Sequence, residues 1–300
     1  MRYLEYFLLP NQRTEDDYIL NFKNPPPELE QSYNPDNAYP FKIFPFKGVE
    51  ELTFEPITIL YGGNGSGKST ILNVIAEKLR LDRASPFNRA ACFTPYVERC
   101  RYRLDRRYDR VPRESRIVTS DDVFDYLLDI RAINEGLDRR REDIFEEYAS
   151  YRDPTQPTFQ LRSLEDYEEL KRRNEARHTT KSTFTARRIP RENIGRSNGE
   201  NALMYFTKQI GENALYLLDE PENSLSAAFQ NELRQFLEDS ARFYGCQFIL
   251  ATHSPFLLSM KGAKIYDLDA APAAVRPWTE LPNVRLYHDF FEAHREEFER

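Results

Sequence analysis

Cysteine is scarce in this sequence: Cys92, Cys100 and Cys246 are the three that occur, in no paired or metal-type spacing. An odd number without pairing excludes a secreted disulfide framework and leaves a reducing, cytoplasmic setting as the expectation. Long apolar runs are lacking too. No stretch approaches the roughly 20 apolar residues of a membrane-spanning helix, and the apolar run Tyr3 to Leu9 yields to the polar run Asn11 to Asp17 too soon for a signal peptide or anchor. No direct membrane insertion is expected, so any membrane role would need a partner. Net positive charge is also absent, since 42 Lys and Arg against 49 Asp and Glu leave -7. That excludes a chain coated evenly in positive charge and makes local clusters matter more than the total. Repeats, heptad arrays and low-complexity tracts are missing as well.

What is present is enough chain, 300 residues, for one large core or a core with an added lobe. Tyr3 to Leu9, a Pro- and Asn-rich loop around Pro25 to Pro40, then Phe41 to Phe46 and Leu52 to Phe54 read as an antiparallel edge. The core strand Ile57 to Tyr61 follows, then a Gly-rich turn and a helix whose apolar residues Ile71, Leu72, Ile75 and Leu79 share one face. Between Arg80 and Pro190 the composition turns charged and helix-favouring, with a helix expected over Asp121 to Arg131, capped by Ser120. From Asn201 the core pattern returns: a helix using Leu203, Phe206 and Ile210, a strand over Ala214 to Leu218, a helix using Phe229, Leu233, Phe236 and Leu237, and a strand over Gln247 to Ala251. Alternation of this kind predicts a parallel α/β sheet. The expected division is a core over 1–85 and 190–300, with an inserted, mainly helical lobe over 86–189.

Gly62-Gly63-Asn64-Gly65-Ser66-Gly67-Lys68-Ser69 satisfies the phosphate-loop pattern between a buried strand and a helix N-terminus. Glycines let the backbone fold tightly so that successive N–H groups point inward, and the helix dipole favours phosphate. Lys68 then reaches the β- and γ-phosphates of ATP, the Ser69 hydroxyl ligates Mg²⁺, and Thr70 supports the α-phosphate. Leu215-Tyr216-Leu217-Leu218-Asp219-Glu220 is an apolar strand ending in two acids, which places both carboxylates at the sheet edge beside that loop. Asp219 is placed to hold Mg²⁺, and Glu220 to orient or deprotonate the attacking water.

With Lys68, Asp219 and Glu220 in this order, the sequence resembles the ATP-binding-cassette ATPases. Ser197-Asn198-Gly199-Glu200, shortly before the acidic strand, is similar to the family's signature motif. The resemblance implies that Ser197 and Gly199 contact the γ-phosphate of ATP held by a second subunit. Ala251-Thr252-His253-Ser254-Pro255 resembles the strand end that carries the family's switch histidine, here His253. Glu222 to Ser226 stands where a loop links the two sites, and Ser226 occupies a position where many relatives carry Asp or His. No clear counterpart of the Mg²⁺-contacting glutamine follows Ile117 to Thr119, where Ser120, Asp121 and Asp122 stand. Tyr39, Phe41, Phe44 and Phe46 are all candidates for adenine stacking, or else core residues.

The resemblance therefore implies a phosphate-loop NTPase core of ATP-binding-cassette type. Its expected activity is ATP hydrolysis in a homodimer that closes over two ATP molecules and switches an effector protein. The short signature and the Glu-Pro-Glu-Asn run look closer to RecF and SMC-like ATPases of DNA repair and phage defence than to transporter subunits. A transporter energy subunit and an ATP-gated scaffold with little hydrolysis stand as alternatives. Two basic stretches remain outside the resemblance. Arg99 to Arg116, interleaved with Tyr102 and Tyr108, and Lys171 to Arg191 are compatible with DNA or RNA binding and equally with solvated, acid-paired surfaces.

Overall fold

The computed structural model describes residues 1–20, 38–87, 89–153, 166–188 and 197–299. Part of the expected Pro-rich loop, up to residue 37, and Arg191 lie outside them. The chain forms two compact units, Met1–Phe124 with Asn198–Arg300, and Asp125–Ser197.

The first unit is mixed α/β with a parallel central sheet. Strands β1 (Leu4–Leu8), β2 (Glu51–Thr53) and β4 (Arg101–Leu104) make an antiparallel sheet of order β2-β1-β4. The main sheet has the order β5-β6-β7-β3-β8-β9, from β3 (Ile57–Tyr61), β5 (Arg116–Thr119), β6 (Leu215–Asp219), β7 (Gln247–Ala251), β8 (Lys264–Asp267) and β9 (Ala274–Val275). Its strands run parallel except β9, which lies antiparallel to β8. β3 and β7 are buried along their whole length, as continuous apolar strands covered on both faces should be. Helix α2 (Lys68–Leu79) buries Ile71, Leu72, Val74 and Ile75 in the cluster that holds Ile117, Leu215, Leu217 and Ile249, each such side chain contributing about 1.5–3 kcal/mol. The alternate residues Tyr216 and Phe248 stack with ring centroids 5.7 Å apart. Gln247, fully buried in β7, accepts from the Tyr3 and Leu4 amides and donates to the Leu4 carbonyl, so a fully used amide ties the two sheets together.

Three expectations change here. Residues 86–124 fold with the first unit, because β4 pairs with β1 and β5 forms an edge of the main sheet beside β6; their charge faces solvent and disguised that membership. Phe41 to Phe46 forms no strand. Pro40 and Pro45 interrupt it, Lys42 is left-handed at φ 66°, and Pro45–Lys47 is a 3-10 turn. The long helix α4 (Ser120–Arg152) is capped by Thr119, not Ser120. Thr119 Oγ1 accepts from the Asp122 amide at 3.3 Å and Asp122 Oδ2 from the Thr119 amide at 2.7 Å, a reciprocal capping box. Helix α1 (Gln12–Leu20), read only as a polar run, is started by Asn11, whose Oδ1 accepts from the Thr14 amide at 2.9 Å. α3 (Phe93–Arg99) precedes β4.

The second unit is helical over its described residues: the later part of α4, then α5 (Asp166–His178) and α6 (Lys181–Ala186). Ile144, Tyr148, Ala176 and Phe184 form its small apolar centre. In the first unit, α7 (Asn198–Gln209) and α8 (Ala227–Phe243) flank β6 in sequence, and the short α9 (Pro255–Leu258) follows β7.

Candidate nucleotide site

The parallel sheet brings the ends of β3, β6 and β7 to one level, with Leu60 and Asp219 both registered to Ala251. The loop 62–67 and the acids after β6 therefore meet at the carboxyl edge, where open α/β sheets bind ligands. Gly67 sits at φ 96°, and a Cβ there would lie 3.0 Å from the Phe44 ring, so conformation and space both demand glycine. Gly63, Asn64 and Gly65 form the exposed tip, while Ser66 is buried and its Oγ has no hydrogen-bond partner. The N-terminus of α2 carries no side-chain cap, which leaves its first amides for an anion.

Lys68 is 4% exposed. Its Nζ donates to the Gly62 and Gly63 carbonyls at 2.7 and 3.0 Å and lies 4.0 Å from Glu220 Oε1. Ser69 Oγ donates to Asp219 Oδ1 at 3.0 Å. Burial pushes the Asp219 carboxyl up to about 6; the Ser69 hydrogen bond opposes the shift and the Glu220 charge adds to it. A half-buried carboxylate beside a hydroxyl, with no cation at hydrogen-bonding range among the described residues, fits Mg²⁺, which takes hard oxygens and needs only one or two from the protein when phosphates supply others. Among the described residues no three His, Cys, Asp or Glu side chains gather into a metal cage.

Glu220 adopts φ 48°, a left-handed conformation that costs a non-glycine residue about 1–2 kcal/mol. Its amide donates to the Ala251 carbonyl at 2.9 Å and its Oε2 accepts from Asn223 at 3.2 Å, which hold the turn. His253 follows β7 and its side chain is 47% exposed. Thus Lys68, Ser69, Asp219 and Glu220 come together as the spacing implied, with His253 on the neighbouring strand end. Ser197 is exposed and directly precedes α7. Gly199 has a packing reason of its own: a Cβ would stand 2.8 Å from the Phe229 ring. Ser226 caps α8, its side chain accepting from the Phe229 amide. Asp122 is spent on the α4 cap and on the Ser85 amide, leaving Ser120 and Asp121 as the less buried groups after β5.

Phe41 and Phe44 are core residues, 3% and 0% exposed, which removes them from the adenine candidates. Tyr39 and Phe46 stay exposed, and the Tyr39 hydroxyl lies 2.8 Å from Thr70 Oγ1, one helical residue beyond the Ser69 position. Sequence reasoning passed over three supports. Asp269 Oδ2 accepts from the Gly63 amide at 2.8 Å. Glu222 accepts from Thr252 and from the His253 amide. Gln230 bridges the Leu225 carbonyl and Ser254. For Asp269 and Gln230 no spacing rule points to the contact; Glu222 carried a signal, a third acid just past the strand end.

Fold, phosphate loop and the acid-tipped strand one place beyond β7 define a phosphate-loop NTPase. The chain belongs to the ATP-binding-cassette family: the family model described as "ABC transporter" matches residues 51–223, more than half of it. A shorter match, over 202–259, is to the model described as "AAA domain, putative AbiEii toxin, Type IV TA system". Similar solved structures include the SMC head domain from Thermotoga maritima, with 14% identity, 92% of this chain and 99% of that chain covered, and a TM-score of 0.39. Another is "an inward-facing conformation of a putative metal-chelate type ABC transporter", with 18% identity, 78% of each chain covered, and a TM-score of 0.37. No curated protein matches the chain. No helix among the described residues is long and apolar enough to cross a membrane.

Proposed function

We propose that this chain binds ATP with Mg²⁺ and hydrolyses it to ADP and phosphate in a homodimer whose closure switches an effector protein, in DNA repair or anti-phage defence. The observation that carries the reading is the meeting of the phosphate loop with the acidic strand end, Ser69 on Asp219 and Lys68 beside Glu220. Lys68 would exchange the Gly62 and Gly63 carbonyls for the β- and γ-phosphates, a stronger acceptor pair for a buried ammonium. Ser69 and Asp219 would hold the metal, which when bound offsets the charge of the phosphate oxygens. Glu220 would take the proton of the attacking water or align it, and its fixed turn keeps the carboxylate near the loop. His253, Ser197 and Gly199 would contact the γ-phosphate, the last two from the second subunit. The toxin–antitoxin wording of the shorter family match supports an effector role in defence. Nucleic acid along the unpaired arginines near β4 is part of the same reading.

Glu220→Gln tests it. The variant should bind ATP and Mg²⁺ nearly as the parent does, hydrolyse at least about 100-fold more slowly, and accumulate as a dimer by light scattering, because uncleaved ATP remains an interfacial ligand. Ser197→Arg added to it should abolish that dimer while each monomer still binds ATP. Undiminished hydrolysis by Glu220→Gln, or a double variant that dimerises like its parent, would refute the mechanism.

A further inference from the structure

Glu222 is 6% exposed, yet its two oxygens are used very unequally. Oε1 accepts from Thr252 Oγ1 at 2.7 Å and from the His253 amide at 2.9 Å, and it lies 3.4 Å from His253 Nδ1. Oε2 is buried with no hydrogen-bond partner. A buried carboxylate with one idle oxygen is costly, and packing alone does not account for it, since a neutral side chain would hold Thr252 and the His253 amide as well. The imidazole faces Oε1, not the idle oxygen, so a proton shared from it would offset the cost by stabilising the carboxylate charge as a whole. Which ring nitrogen of a histidine carries the proton is set by the hydrogen bond made by the other. The 3.4 Å separation is long for a hydrogen bond, as such contacts often are before substrate closes a site.

We propose that Glu222 is a positioning residue: it takes the Nδ1–H of His253 and so fixes the ring with Nε2 turned toward the nucleotide. This rests on the reading of His253 as a γ-phosphate contact and adds the residue that aims it. The arrangement also joins the two strand ends. Glu222 lies two residues beyond Glu220 on the turn after β6, so a shift of that turn would carry the histidine after β7 with it. Gln230, holding both the Leu225 carbonyl and Ser254, braces the same two loops.

The test reads the ring directly. In protein labelled with ¹⁵N-histidine, long-range ¹H–¹⁵N correlation distinguishes the tautomers, and His253→Asn assigns the signal among the four histidines. In the nucleotide-free parent, His253 should be the Nδ1–H form. Glu222→Leu should shift it toward Nε2–H and lower kcat for ATP about 10- to 100-fold, the size seen when a group orienting a histidine from behind is removed, with KM little changed. Glu222→Gln, which keeps a carbonyl oxygen for Nδ1, should retain the tautomer and recover most of kcat. An Nε2–H ring in the parent overturns the proposal even if no variant folds. So does a Leu variant whose ring is unchanged. Hydrolysis that survives Glu220→Gln would instead sink the ATPase reading and leave the tautomer result to stand or fall separately.

Discussion

In the first unit Asp219, Glu222 and Glu15 are drawn out of water with hydrogen-bond partners, among the described residues, on one carboxylate oxygen only, whereas in the second Glu147, Glu169 and Glu175 lie nearer the surface, each against an arginine. Glu15 shows the first pattern plainly: Oε2 accepts from the Lys42 amide at 2.6 Å, Oε1 has no partner, and burial pushes the carboxyl up to about 7. In the second unit Arg172 meets Glu147, Arg173 meets Glu169, and Arg187 and Arg188 share Glu175, which their hydrogen bonds hold below the usual carboxylate range. Surface pairs of this kind contribute about 0–1 kcal/mol and need no further ligand. Buried carboxylates short of partners are costly. They persist where something compensates: on the proposed reading that would be a metal at Asp219 and the histidine at Glu222, while Glu15 braces the turn that sets Phe44 against Gly67.

The largest effect should follow from emptying the phosphate loop of its cation. Lys68→Ala removes two charge-assisted contacts of about 2 kcal/mol each, so ATP affinity by titration should fall roughly a thousandfold. Retained affinity in a folded variant would dissolve the contrast between the units. A smaller effect lies in pH. The folded Asp219 carboxyl is raised from 3.8 to about 6, so its protonated form supports the fold at low pH, and that support is lost as pH rises from about 4 to 6. Asp219→Asn carries no such charge. In nucleotide-free protein its Tm should match the parent near pH 4 and exceed it at pH 7 by a few degrees, a gain on the order of 1–2 kcal/mol after allowance for water relaxing around the site. Glu15 contributes a similar loss between 4.5 and about 7 in both proteins and cancels from the difference. A variant less stable than the parent at pH 7 would mean that Asp219 is well partnered without metal.

Legibility in the sequence followed the same division. The phosphate loop and the strand Leu215–Asp219 were readable because strand, turn and helix there are contiguous, and each residue type answers a local requirement. The parallel sheet followed from the same alternation. Contacts between residues far apart in sequence were not readable. Tyr39 on Thr70 and Asp269 on Gly63 depend on how distant segments meet, which no local spacing encodes; the acid at Glu222 was visible past the strand end, but its contact with His253 was not. The lobe boundary failed for another reason: Arg101–Leu104 stands at a sheet edge with its arginines in water, and the short apolar edge strand Arg116–Thr119 is flanked by charged residues, so both resemble a solvated insertion in composition.

The smallest effect should come from the second unit's arginines, and it separates the two basic stretches. Arg101, Arg106, Arg110 and Arg113 are exposed and make no ion pair or hydrogen bond among the described residues. A phosphate arriving there displaces counterions alone, and each contact made adds about 0.9 to the salt slope on duplex DNA. A phosphate arriving at Arg187 or Arg188 must first compete with Glu175, already 2.8 and 2.7 Å away. The Coulomb gain from the new partner then largely replaces an existing one. Arg187→Gln with Arg188→Gln should therefore change DNA or RNA affinity by no more than about twofold, and stability by no more than about 1 kcal/mol, the range of exposed pairs. Reversing the four unpaired arginines to Glu should abolish any binding and flatten its salt dependence. Fluorescence anisotropy across a salt series, with thermal melts of the same variants, reads both. If the paired arginines prove the more sensitive set, ion pairing in the second unit is being exchanged for phosphate rather than spent on the scaffold, and the contrast drawn between the two units fails.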